Sequence, residues 1–184
     1  MFLAVGHFLL LPLGVWAMGG GAHLEVWDRA LIFAALGLFL GQISNSNAHE
    51  LIHAPRRLPR RIGTAIYISL LHGHHVSAHL RVHHPAAATP AAPHSAPTGM
   101  GFWHFLLSAS WGEFRAGWRA DNAQRARKVG ARGLHPYVVY FGGAALALLA
   151  ALLLGGVPGL LAYLGLAAYA QMQLILSDYV QHYG

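Results

Sequence analysis

Residues 2–20, 30–48, 137–155 and 159–176 form four mostly apolar runs in a chain of 184 residues, each about as long as the roughly 20 residues a helix needs to cross a bilayer. Backbone placed in hydrocarbon must satisfy its own hydrogen bonds, which restricts lipid-crossing segments to helices or closed barrels. Only 10% of the chain is charged, against about 25% in an ordinary soluble domain, and that charge is confined to the gaps between the runs. The fold class expected is all-α, a multi-pass transmembrane helical bundle of about four spanning helices. The first run has no basic leader, and Met18-Gly-Gly-Gly-Ala makes a poor cleavage site, so it reads as a helix that stays in the membrane. The breakers in Gly155-Gly-Val-Pro-Gly159 predict a tight turn and an antiparallel hairpin between the last two runs.

Residues 62–78 are a fifth, shorter apolar segment. Eleven of the twelve Lys and Arg residues lie between Arg56 and Arg132, four before this segment and seven after it. A crossing here would put Arg56, Arg57, Arg60 and Arg61 on the opposite side from Arg115 and its neighbours, against the positive-inside rule. It would also separate two groups of histidines. The segment is therefore expected to be re-entrant, or buried along the cytoplasmic face, without a net crossing. The basic character then belongs to one membrane face, and nucleic acid is not an expected partner. The chain has no cysteine, so disulfides and thiolate metal sites are excluded and any metal must be held by nitrogen and oxygen.

Eight of the fourteen histidines fall between His49 and His84. His49 and His53 enclose H-E-L-I-H, and His79, His83 and His84 close H-L-R-V-H-H. Residues four apart share a helix face, so each spaced pair can offer two imidazoles to one ion. HELIH by itself is equally a zinc-protease signature with Glu50 as general base, another kind of metal site, or chance. Five imidazoles exceed what one zinc needs and suit two adjacent metals with open positions. His72, His74 and His75 stand between polar caps at a membrane interface and further ligands. The third element, Asp178-Tyr-Val-Gln-His182-Tyr-Gly184, reads alone as an anchoring His-Tyr pair. Residues 85–97 are Pro/Ala-rich and predict an extended ordered loop or a flexible connector, not a helix. Residues 102–132 alternate aromatic with basic residues, as a helix lying in the cytoplasmic interface would.

Taken in order, HELIH, the H-x-x-x-H-H of His79 to His84 with His74 before it, the ATPAAPHSAPTGMGFW stretch and the final HYG resemble the integral-membrane alkane 1-monooxygenases of the fatty acid desaturase and hydroxylase superfamily. The resemblance covers essentially the whole chain. It implies two iron ions in a non-haem di-iron centre, with His49, His53, His79, His83, His84 and His182 as metal ligands. It further implies hydroxylation of an alkane's terminal methyl with O₂, a rubredoxin or similar electron donor, and a bacterial-type inner membrane with the metals on the cytoplasmic side. Arg115, Arg119, Arg125, Arg127 and Lys128 would either steer an acidic donor or bind lipid headgroups. Fatty acid desaturase and acyl hydroxylase are the nearer alternatives, acting on an acyl substrate; the zinc metalloprotease is the more distant one.

Ala54, Ala78, Val82, Asp178 and Gln181 depart from the family pattern around the histidines. The family's H-x-x-H-H, expected beyond HYG, is not in the chain. The expectation is one desaturase-like domain, 1–184, incomplete at both ends and inactive alone. Within it, 1–48 is a first helical hairpin, 49–135 the histidine-box and basic segment, and 136–184 a second hairpin. Gly142, Gly143, Ala144, Gly165, Ala167 and Ala168 would either leave room for an apolar chain or pack helices closely.

Overall fold

The computed structural model describes residues 1–83, 96–127 and 133–183. Helix α1 (Phe2–Trp16) runs into a π-helical turn (Ala17–Gly21), where Gly20 adopts φ 108° and ends it. Helix α2 (Val26–Leu38), a second π turn (Phe39–Ser44) and α3 (Asn45–His53) make one continuous helical stretch of 28 residues. Phe2–Gly21, Val26–His53 and the last helix are long and apolar enough to cross a membrane. Among the described residues there is no strand, only an isolated bridge between Ala96 and Tyr183. The fold is all-α, as the apolar runs predict.

The 62–78 segment is not one helix. It divides into α4 (Arg57–Ser69) and the short α5 (His74–Ala78), followed by a third π turn (His79–His83). Thirteen residues of α-helix reach about 20 Å, short of the roughly 30 Å hydrocarbon core. The break is a Schellman cap: His72 N–H donates to Tyr67 O at 2.8 Å and Leu71 N–H to Ile68 O at 2.9 Å. The left-handed position is filled by Leu71 (φ 57°), where glycine is usual, at a cost of about 1–2 kcal/mol. That reversal delivers the run His72 to His75 into the interior.

Helix α6 (Phe102–Arg127) buries Phe105, Ala109, Glu113, Gly117 and Asp121, every fourth residue, while Trp103, Trp111 and Trp118 stay exposed. This inner stripe packs on α5 and the third π turn. A Cβ on Gly117 would lie 3.0 Å from Ala78 N, so glycine sets how closely the two elements approach. Helix α7 (Pro136–Gln181) is interrupted at Gly156, with φ 59° and ψ −156°. Tyr140 Oη bonds Ser77 Oγ, and Gln171 Nε2 donates to Leu70 O. A straight helix would hold Tyr140 and Gln171 about 46 Å apart, so the chain doubles back at Gly156. The 85–97 connector lies outside the described residues except for Ala96 and Pro97.

Polar groups join the membrane helices from within. His7, fully buried, bonds Ser44 Oγ at 2.5 Å and Ser69 Oγ at 2.7 Å. Asn45 donates to Ala170 O, and Gln173 donates to Gly37 O while accepting from Gln42. Small residues close the remaining gaps: Gly143 sits against Ile68 and Gly165 against Phe33, which favours packing over room for a ligand at these two positions. Backbone meets backbone between the end of the first helix and the Gly156 turn, where a Cβ on Gly19 would stand 2.5 Å from Gly155 Cα. Gly19→Ala must therefore push backbone apart. Its expected cost is at least the 1–3 kcal/mol typical of overpacking, read as a lowered thermal midpoint in detergent; an unchanged midpoint would mean that the two segments do not meet.

Candidate metal centre

Three of the six histidines singled out by sequence converge. His49 and His53 project from α3 one turn apart, and His79 opens the third π turn opposite them. His79 Nε2 lies 2.9 Å from His49 Nε2 and 3.0 Å from His53 Nε2, and the ring centroids are 4.7–5.1 Å apart. His79 is buried, His49 half-buried and His53 exposed. Nitrogens bound at about 2.0–2.1 Å to one ion are themselves held about 3–3.5 Å apart, so this donor set fits a metal with little movement. A cation would also convert the mutual repulsion of converging lone pairs into coordination.

His182, just past the end of α7, is not within this cluster, but it lines the same cavity of about 390 Å³ as His49, His75 and His79. That cavity runs between α3 and the last turns of α7, from the histidines to Gly41 and Gln173. The backbone of His83 is in the third π turn, and His84 lies outside the described residues. A spacing of four puts His79 and His83 on one face of an α-helix, but residues 79–83 form the wider π turn, closed by i→i+5 bonds, a feature that tends to occur at functional sites.

A second cluster lies behind the first. Glu113, 1% exposed, stands with Oε1 2.5 Å from His75 Nδ1 and Oε2 3.3 Å from His72 Nε2. Burial alone would push its carboxyl up, yet the His75 and His72 rings hold it well below the usual carboxylate range. His74 packs edge-on against Phe114, and burial, reinforced by His72, pushes its imidazole down to about 3. The His75 ring stacks on His79, with centroids 5.2 Å apart and planes at 23°, so Glu113 orients a ring that in turn braces a member of the first cluster. Sequence reasoning left the 72–75 histidines undecided and missed Glu113. The fourfold spacing of 105, 109, 113, 117 and 121 carries the missing signal, since it puts an acidic residue in the middle of an apolar stripe.

Glu50, the general base of a protease reading, is 84% exposed on its side chain, with Oε1 3.9 Å from His49 Nδ1. Local geometry alone does not remove that reading; relatedness weighs against it. The chain is 30% identical to alkane 1-monooxygenase 2 of Pseudomonas aeruginosa over 182 residues, covering 96% of this chain and 48% of that protein. It is 29% identical to alkane 1-monooxygenase 1 of the same organism, covering 99% of this chain and 51% of that one. Identity to alkane 1-monooxygenase 2 of Alcanivorax borkumensis is 27%, over 82% of this chain and 40% of that protein. The chain thus spans about half the length of the curated relatives it matches. The family model described as fatty acid desaturase matches residues 25–184, a stretch that includes both histidine clusters, and the chain belongs to that family.

Proposed function

We propose that the whole protein is a membrane non-haem di-iron monooxygenase that hydroxylates the terminal methyl of an alkane, with electrons from a rubredoxin-type donor. The observation that carries this reading is the convergence of His49, His53 and His79 at 2.9–3.0 Å, with His182 on the same cavity, in a chain akin to alkane 1-monooxygenases. These four histidines, with His83 and His84, would hold the metals. All are imidazoles, a donor type that suits iron. Bound there, the irons would supply O₂ activation, one oxygen atom entering the methyl C–H bond and the other leaving as water with two electrons and two protons.

The chain's own residues supply placement. The cavity of about 390 Å³ beside the histidines falls within the range of small-ligand sites and is where the methyl end of a substrate would lie. His75, fixed by Glu113, limits rotation of His79. Exposed Arg115, Arg119 and Arg127 on α6 offer an acidic donor a basic approach, whereas Arg125 is tied to the carbonyls of Gly133 and Leu134, and Lys128 lies outside the described residues. Arg56, Arg57, Arg60 and Arg61 follow His53 within eight residues, which by the positive-inside rule favours the cytoplasmic side of a bacterial-type inner membrane for the metals.

The matched family's description as fatty acid desaturase favours one rival, an enzyme acting on acyl chains. Membranes containing the whole protein, supplied with O₂, reduced rubredoxin and its reductase, should convert a medium-chain alkane to the primary alcohol and leave a saturated fatty acyl substrate unchanged. Gas chromatography of the products decides: an unsaturated or hydroxylated acyl product with no alcohol from the alkane transfers the assignment to the rival.

A further inference from the structure

We propose that His72, His74 and Glu113 form a second metal site, separate from the His49/His53/His79 cluster, that takes one divalent first-row transition metal through two imidazoles and a carboxylate. One ligand atom from each of the three residues lies within 4.8 Å of the others. Three donors about 2.1 Å from a shared ion stand about 3.4 Å apart in a tetrahedral site, so closing the site requires side-chain shifts of no more than about an ångström each. Glu113 Oε2 and His72 Nε2, at 3.3 Å, already have the separation that such an ion imposes.

Three features make this more than a hydrogen-bonded core. The carboxylate is fully enclosed, with His72 2% exposed beside it, and a buried carboxylate needs a neighbouring positive charge. His75 Nδ1 occupies Glu113 Oε1 and leaves Oε2 facing His72, the arrangement by which an outer hydrogen bond orients a ligating carboxylate. His74 Nε2 is buried with no hydrogen-bond partner, which is costly for a polar nitrogen unless something else engages it. Two imidazoles and one carboxylate form a known donor set for zinc and for ferrous iron. The backbone is committed to the arrangement as well: the Schellman reversal at Leu71 turns His72 and His74 inward, and the inner stripe of α6 brings up Glu113. A metal here would tie α5 to α6 directly behind His79. The proposal goes beyond the oxygenase reading and does not depend on it.

The test is metal content, independent of turnover. In the full chain, purified in detergent and stripped with chelator, His49→Ala/His53→Ala dismantles the first cluster, and Co²⁺ is then titrated by visible absorption and elemental analysis. The expected result is one Co²⁺ per chain, with affinity falling at least about 100-fold on adding His74→Ala or Glu113→Gln. No Co²⁺ in the double variant, or binding indifferent to both additions, overturns the proposal and leaves Glu113 as an acceptor for His72 and His75 alone. Should Glu113→Gln fail to fold by circular dichroism, His74→Ala decides by itself, because His74 Nε2 has no hydrogen bond to lose.

Discussion

His79→Ala is expected to lower the affinity of the His49/His53/His79 cluster for iron or cobalt by more than about 100-fold and to make hydroxylation by the whole protein undetectable. His79 Nε2 lies 2.9 and 3.0 Å from the Nε2 atoms of the other two, and His79 is the buried member. Its loss leaves two imidazoles on one helix, of which His53 is exposed to competing solvent. Removing groups that merely orient a metal ligand typically costs 10- to 100-fold in affinity or activity, so removal of the central ligand must exceed that range. His104→Ala, an exposed histidine on α6 outside both clusters, should leave metal content unchanged. Equal metal content in His79→Ala and the parent protein, with both folded by circular dichroism, would exclude His79 as a ligand and remove the main support for the oxygenase assignment.

The pairing of His49 with His53 follows from helix periodicity: i, i+4 residues meet on any α-helix, and HELIH ends an apolar run of the length a membrane-spanning helix needs. The arrival of His79 opposite them depends on the break at Leu70–Gly73. Charge distribution predicts that residues 62–78 do not cross, but not how they turn. The turn uses a left-handed leucine, a conformation for which sequence gives no cue, since glycine or asparagine is the residue normally found there. Both π turns next to the histidine motifs are equally hidden, because a reading at 3.6 residues per turn assumes the geometry they replace.

Glu113 and Asp121 illustrate a different failure. The aromatic and basic residues of 102–132 describe the outer face of α6 and carry no information about its inner face. Only six acidic residues occur in the chain, and two of them fall on that inner stripe at 1% and 0% exposure. A carboxylate on the buried face of an amphipathic helix must be paired or bound to metal, so the residues that tie α6 to the histidine segment were identifiable from spacing, though their partners were not. His75 and Arg81 become partners only through the fold.

Arg81→Ala is expected to destabilise the protein more than any other single surface-reaching substitution described above, by about 3–5 kcal/mol if the pair behaves as other buried pairs do, and toward the lower end because the Arg81 side chain is one-third exposed. Arg81 lies in the third π turn and is ion-paired with Asp121, which is fully buried on α6. Truncating the arginine leaves a carboxylate enclosed without its counter-charge, and the penalty is that group's desolvation as well as the lost attraction. Asp121→Asn should cost less, since the arginine left behind can turn its guanidinium to solvent. Arg81→Ala/Asp121→Ala should recover part of the loss, because the uncompensated charge is gone; the difference from additivity in a double-mutant cycle then measures the pair. The consequence extends to the metal cluster, for the same π turn begins at His79. A loosened turn lets His79 drift from His49 and His53, so Arg81→Ala should also weaken Co²⁺ binding there, whereas Asp121→Ala in the Arg81→Ala background should partly restore it. Additive costs in the cycle, with unaltered Co²⁺ affinity, would mean that the ion pair neither supports the fold nor positions His79.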